Sequence, residues 1–193
     1  SIACALAMIR GDLSTGAGLL PLIEFSVYCA VPLIYLAFAA SSLHGLFPSL
    51  FSRWLLRNRS IIGLCFATAM AWQLLSILWL VLVHTQFYLE EQYVLSDAIE
   101  GTVGYLLLLA MVLTSFKFGR RRLTPRQWKL LHKIGIYYIW AYIWSTYRWQ
   151  VFSYPDPLPI DIIYYWAGFL AWGLRLGAWM KKNWQQPAVG RAV

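Results

Sequence analysis

Charge is scarce in this chain. Only 12% of its 193 residues are Asp, Glu, Lys or Arg, while 60% are hydrophobic and 17% aromatic; ordinary soluble domains carry about 25% charged residues. A water-soluble globule of that make-up would expose large apolar areas, so soluble folds are excluded and a polytopic membrane protein, apolar on its core and lipid faces alike, is expected. Cysteine is equally sparse. Cys4, Cys29 and Cys65 all sit in apolar runs, with no CxxC or paired Cys/His spacing, which supports neither a disulfide framework nor a thiolate metal site. Enzyme signatures are lacking too: there is no HExxH, no GxSxG, no phosphate-binding Gly-rich loop and no pair of carboxylates at helical spacing within one span. Any nucleotide or flavin would have to be held by another protein.

What is present is a series of long apolar runs, at 19–44, 60–84, 99–116, 131–152 and 160–180, separated by short polar or Pro-containing loops. Each is long enough to cross about 30 Å of hydrocarbon as a helix. Residues 2–9 are apolar but too few to span, and end at the polar turn Arg10-Gly-Asp12; they read as the tail of a first helix. The expectation is a single transmembrane domain over 1–193, an all-α bundle of about six helices with the first one truncated.

The charges then give an orientation. Arg53, Arg57 and Arg59 lie in one loop; Lys117, Arg120, Arg121, Arg122, Arg126, Lys129 and Lys133 lie in or beside the loop two crossings later; Lys181, Lys182 and Arg191 lie in the tail. All eight acids fall at or near the opposite helix ends. The positive-inside rule places the basic loops and the C-terminus in the cytoplasm, across a bacterial-type cytoplasmic membrane. The net charge of +8 is therefore a topology signal rather than a nucleic-acid signal, and anionic lipid head groups are a sufficient counter-charge. Trp54, Trp128, Trp179 and Trp184 mark one membrane interface and Trp79, Trp149 and Trp166 the other. The segment 173-GLRLG-177 has the small-xxx-small spacing that lets helices approach closely.

Polar residues inside crossings are costly in hydrocarbon, so they are where function is sought. The candidates are Glu24, His44, Gln73, His84, Glu100, His132, Arg148 and Asp161. Most lie near helix ends, where snorkelling toward head groups is cheap. Arg148 either pairs with Glu100, Glu24 or Asp161, or holds an anionic ligand; with the surrounding aromatic rings it could frame a quinone or lipid pocket.

The run 113-LTSFKFGRRRLTPRQWKLLHKIGIYYIW-140 resembles the ferric-reductase-like transmembrane family, in the branch that contains the haem-binding membrane subunit of the periplasmic methionine sulfoxide reductase. The stretch 59-RSIIGLCFATAMAWQLL-75 is similar to the start of that family's third helix, and 10-RGDLSTGAG-18 to its loop after helix one. The resemblance implies haem b held between helices three and five by paired imidazoles, and electron transfer to a periplasmic redox enzyme, with a flavin reductase as a further partner. Matched residue by residue, His132 falls on the first fifth-helix histidine. The third-helix histidine falls on Gln73 and the second fifth-helix histidine on Ser145.

Both ligands of one haem are thus replaced together, and neither an amide nor a hydroxyl is a usual axial ligand. In 137-YYIWAYIWSTYRWQVFSY-154 three Trp and five Tyr crowd the segment where a porphyrin would need a flat cavity. The expectation is a redox-degenerate, haem-poor subunit, most simply without cofactor, that packs with other integral membrane subunits. The alternative is a carrier of a single haem b bound through His132, with His44 as a second ligand at the inner end of the second helix. A quinone- or lipid-binding module around Arg148 ranks third.

Overall fold

The computed structural model describes residues 13–189, with side chains through Trp184. The expected segment 2–9, the Arg10-Gly-Asp12 turn, Cys4 and Arg191 lie outside the described residues. Among the described residues, all regular structure is helical, in the order α1 (Gly16–Leu46), α2 (Leu50–Val83), the single turn α3 (Thr85–Phe87), a π-helical turn (Tyr88–Gln92), α4 (Leu95–Ser115), the short α5 (Lys117–Arg120), α6 (Pro125–Ser153) and α7 (Pro159–Val189).

The helix starts follow capping chemistry. Thr15 Oγ1 accepts the Gly18 N–H at 3.1 Å to open α1, and Ser49 Oγ accepts the Ser52 N–H at 3.1 Å to open α2. At α6, Thr124 Oγ1 accepts the Gln127 N–H while Gln127 Oε1 accepts the Thr124 N–H at 2.9 Å, a reciprocal capping box. Pro125 and Pro159 occupy the first helical positions of α6 and α7, where a missing N–H costs nothing. Between α1 and α2, Pro48 follows Phe47 and disfavours helical geometry there.

The five expected crossings all appear as long helices, but longer than the apolar runs. Arg53, Arg57 and Arg59, expected in a loop, lie on α2. Residues 125–130 likewise belong to α6. No Gly or Pro interrupts either stretch beyond Pro125, and Leu, Arg, Lys and Gln are good helix formers, so the helix runs on through the charges. Among the described residues three helices, α1, α2 and α4, are long and apolar enough to cross a membrane. At 29 and 31 residues α6 and α7 have the length, but Tyr, Trp, Arg148, Asp161 and Arg175 dilute their apolar character.

The chain packs as two compact units. Among the described residues, the first comprises 13–33 and 63–139, the second 34–62 and 140–189. In the first, Leu19 and Leu22 of α1 and Leu80 of α2 are buried together, with Ile23, Phe87 and Tyr88 against them. The α4 helix has no buried residue, and its Ile99, Val103, Leu106, Leu109 and Leu113 form an exposed apolar stripe. Water would penalise such a stripe; a lipid face does not.

The second unit is built on stacked rings. Phe38 stacks on Trp140 (5.2 Å between centroids), Trp140 on Trp144 (5.8 Å) and Trp144 on Tyr165 (5.7 Å). Arg175 closes the Phe38 end, its guanidinium 4.4 Å above the ring and its Nη1 donating to the Phe38 carbonyl at 3.1 Å. Trp140 Nε1 donates to the Gly168 carbonyl at 3.0 Å. Close approach occurs at Gly168, where a Cβ would lie 2.6 Å from Tyr35 Oη and 2.8 Å from Trp144 Cδ1. In the small-residue pair picked from the sequence, Gly173 faces open space and Gly177 makes ordinary contact with Leu46.

Candidate functional site

Each histidine is tied into a local polar knot. His132, half-buried on α6, places Nε2 3.2 Å from Thr114 Oγ1 at the end of α4. The Thr114 hydroxyl also donates to the Ala110 carbonyl of its own helix at 2.7 Å. Trp128, one turn earlier, lies 4.3 Å from the His132 ring and donates Nε1 to the Thr114 carbonyl at 3.0 Å. Together these contacts pin the start of α6 to the end of α4.

His44 closes the turn between α1 and α2. Its Nδ1 is 3.2 Å from the Oγ of buried Ser52, which donates to the Phe47 carbonyl at 2.9 Å and accepts the Ser49 N–H at 2.9 Å. His84 places Nε2 3.3 Å from the Leu13 carbonyl. His132 belongs to the first unit and His44 to the second.

Gln73, half-buried on α2, accepts a hydrogen bond at Oε1 from the Tyr105 hydroxyl of α4 at 2.9 Å. Ser145 donates to the Tyr142 carbonyl of its own helix at 2.8 Å. Arg148 is exposed on α6, with no hydrogen bond or ion pair among the described residues, and Glu24 and Glu100 are exposed as well. The Glu100 carbonyl, not its carboxylate, makes the helix contact, accepting from Tyr138 Oη at 2.9 Å.

Among the described residues, Asp161 differs from the other acids in being buried, in the first turn of α7. The Leu158 backbone hydrogen-bonds to its carboxylate, which suits a helix N-terminus. Its Oδ1 has no hydrogen-bond partner among the described residues, nor do the buried atoms Tyr35 Oη, Trp144 Nε1 and Gln150 Oε1, all in the second unit. Among the described residues no group of three or more His, Cys, Asp or Glu gathers as for a metal ion. Cys29 and Cys65 are free thiols.

No family model, curated protein or solved structure matches the chain. A b-type haem with two axial protein ligands needs two lone pairs from imidazole or a comparable ligand. At Gln73 there is an amide committed to a phenol, and at Ser145 a hydroxyl committed to its own helix. Neither fits that group.

Sequence reasoning singled out Gln73 but not Tyr105, because the two are 32 residues apart and nothing in the spacing links them. The Arg175–Phe38 contact, 137 residues apart, was equally hidden. An arginine in mid-helix, between two glycines of an apolar run, was the available signal.

Proposed function

We propose that this chain is a membrane-embedded helical subunit of ferric-reductase-like architecture that has given up haem ligation and works by packing within a larger membrane complex. On this reading about six helices cross a bacterial-type cytoplasmic membrane, with the basic segments and the C-terminus on the cytoplasmic side. The single observation that carries it is the Gln73–Tyr105 hydrogen bond. The position where the resemblance asks for an imidazole instead holds an amide used to bind α2 to α4. Interhelical bonds of this kind contribute about 0.6–1.7 kcal/mol in membranes, so the residue has a structural use that stands without a cofactor. The engagement of His132 with Thr114 and Trp128 supports the same reading.

The test is the absorption spectrum of the full chain purified in mild detergent, oxidised and dithionite-reduced. A colourless protein with no Soret band, recovered in an assembly larger than its own 22.2 kDa plus detergent, is expected. One haem per chain, lost on His132→Ala, would overturn the proposal and establish a single-haem carrier instead.

A further inference from the structure

The basic segment between α4 and α6 exposes its charges around a folded-back turn. Gly119 on α5 has no room for a Cβ, because the Leu113 carbonyl occupies that space, so α5 folds back against the end of α4. Beside the fold-back lies an open surface cavity of about 380 Å³ lined by exposed Lys117, Arg120, Arg121, Pro125 and Lys129 and by half-buried Leu123 and Trp128. Its wall is held firmly: Trp128 is fixed by Thr114 and His132, and Arg120 lies over the Trp128 ring at 4.9 Å.

The electrostatics of this cavity are one-sided. No acidic residue occurs between Glu100 and Asp156. None of the four cations makes an ion pair among the described residues. The cavity also adjoins the N-terminus of α6, whose first turn has no acid, and a helix N-terminus carries roughly half a positive charge of its own. Exposed Lys129 and its neighbours thus add to the positive end of the helix with no acid in the segment to offset them. Arginine and lysine converging beside an aromatic wall suit a compact, multiply oxygenated anion.

We propose that this cavity is a phosphate-binding site, with Lys117, Arg121 and Lys129 as the ligands, occupied by the phosphate of an anionic lipid head group or by free phosphate. The site goes beyond the packing role above and stands whether or not the chain ever holds haem.

The test compares three versions of the full-length protein: the wild type, a cavity variant (Lys117→Gln, Arg121→Gln, Lys129→Gln) and a control of equal charge loss in the same segment (Arg122→Gln, Arg126→Gln, Lys133→Gln). Arg120 is kept because it stacks on Trp128. Lipid retention is read by native mass spectrometry after release from nanodiscs of mixed phosphatidylglycerol and phosphatidylcholine. Binding of inorganic phosphate is read by thermal shift in detergent after delipidation. Wild type and control should each retain phosphatidylglycerol in preference to phosphatidylcholine, and the cavity variant should retain it about ten-fold more weakly than the control. If inorganic phosphate stabilises the delipidated wild type but not the cavity variant, the free anion is a sufficient ligand. If only the lipid responds, the head group is the ligand. Equal losses in the cavity and control variants, or no preference for the anionic lipid together with no response to phosphate, would overturn the proposal.

Discussion

Replacing Gly168 by alanine tests the packing of the second unit in one atom. A Cβ there would lie 2.6 Å from Tyr35 Oη and 2.8 Å from both Tyr35 Cζ and Trp144 Cδ1, about 1 Å inside a comfortable carbon contact. Neither neighbour can yield easily: Tyr35 is buried, and Trp144 is stacked between Trp140 and Tyr165. Overpacking of this kind costs about 1–3 kcal/mol. Helix propensity works the other way, since Gly→Ala in a helix interior gains about 0.8–1 kcal/mol.

Gly173→Ala separates the two effects. Gly173 is on the same helix with nothing within 4 Å of its added Cβ, so it reports the propensity gain alone. The difference between the two variants, read from reversible unfolding in mixed detergent and SDS micelles by near-ultraviolet circular dichroism, should be about 1–3 kcal/mol against Gly168→Ala. Adding Tyr35→Phe, which removes the nearest atom and one buried hydroxyl without a partner, should recover part of it. Gly168→Ala as stable as Gly173→Ala would refute the stacked-ring packing of this unit.

Two further outcomes are expected from the same unfolding assay. Tyr105→Phe should cost about 0.6–1.7 kcal/mol by leaving the Gln73 amide unsatisfied, and the double variant with Gln73→Leu should cost less than the two single changes added; strict additivity would mean that the pair does not interact. Ser52→Ala removes the hydroxyl that serves Phe47, Ser49 and His44 at the first turn, and should cost about 1–3 kcal/mol; His44→Ala, which leaves the Ser52 contacts to Phe47 and Ser49 in place, should cost less.

The candidate site shows how far local reading reached. The three histidines, Gln73, Ser145 and Arg148 were all visible as polar residues in or beside apolar runs, because burying a polar group in hydrocarbon demands a reason wherever it occurs. The partners were not legible, whether eight residues away, as Ser52 is from His44, or thirty-two, as Tyr105 is from Gln73. The basic run 117–129 was read as a topology signal, since its charges are evident in sequence whereas the cavity that gathers four of them depends on α5 folding against the Leu113 carbonyl.

What the sequence determined by itself was where the long helices centre among the described residues, though not how far each extends into its charged flanks. Hydrophobic run length, proline positions and capping residues act within a few residues of one another, and five apolar runs became five long helices. Tertiary structure alone decided which side chains meet: Tyr105 with Gln73, Arg175 with Phe38, and Tyr35 and Trp144 against the bare backbone of Gly168. Such contacts depend on the rotation and depth of each helix against its neighbours, which the packing of rings and glycines fixes and no single segment encodes.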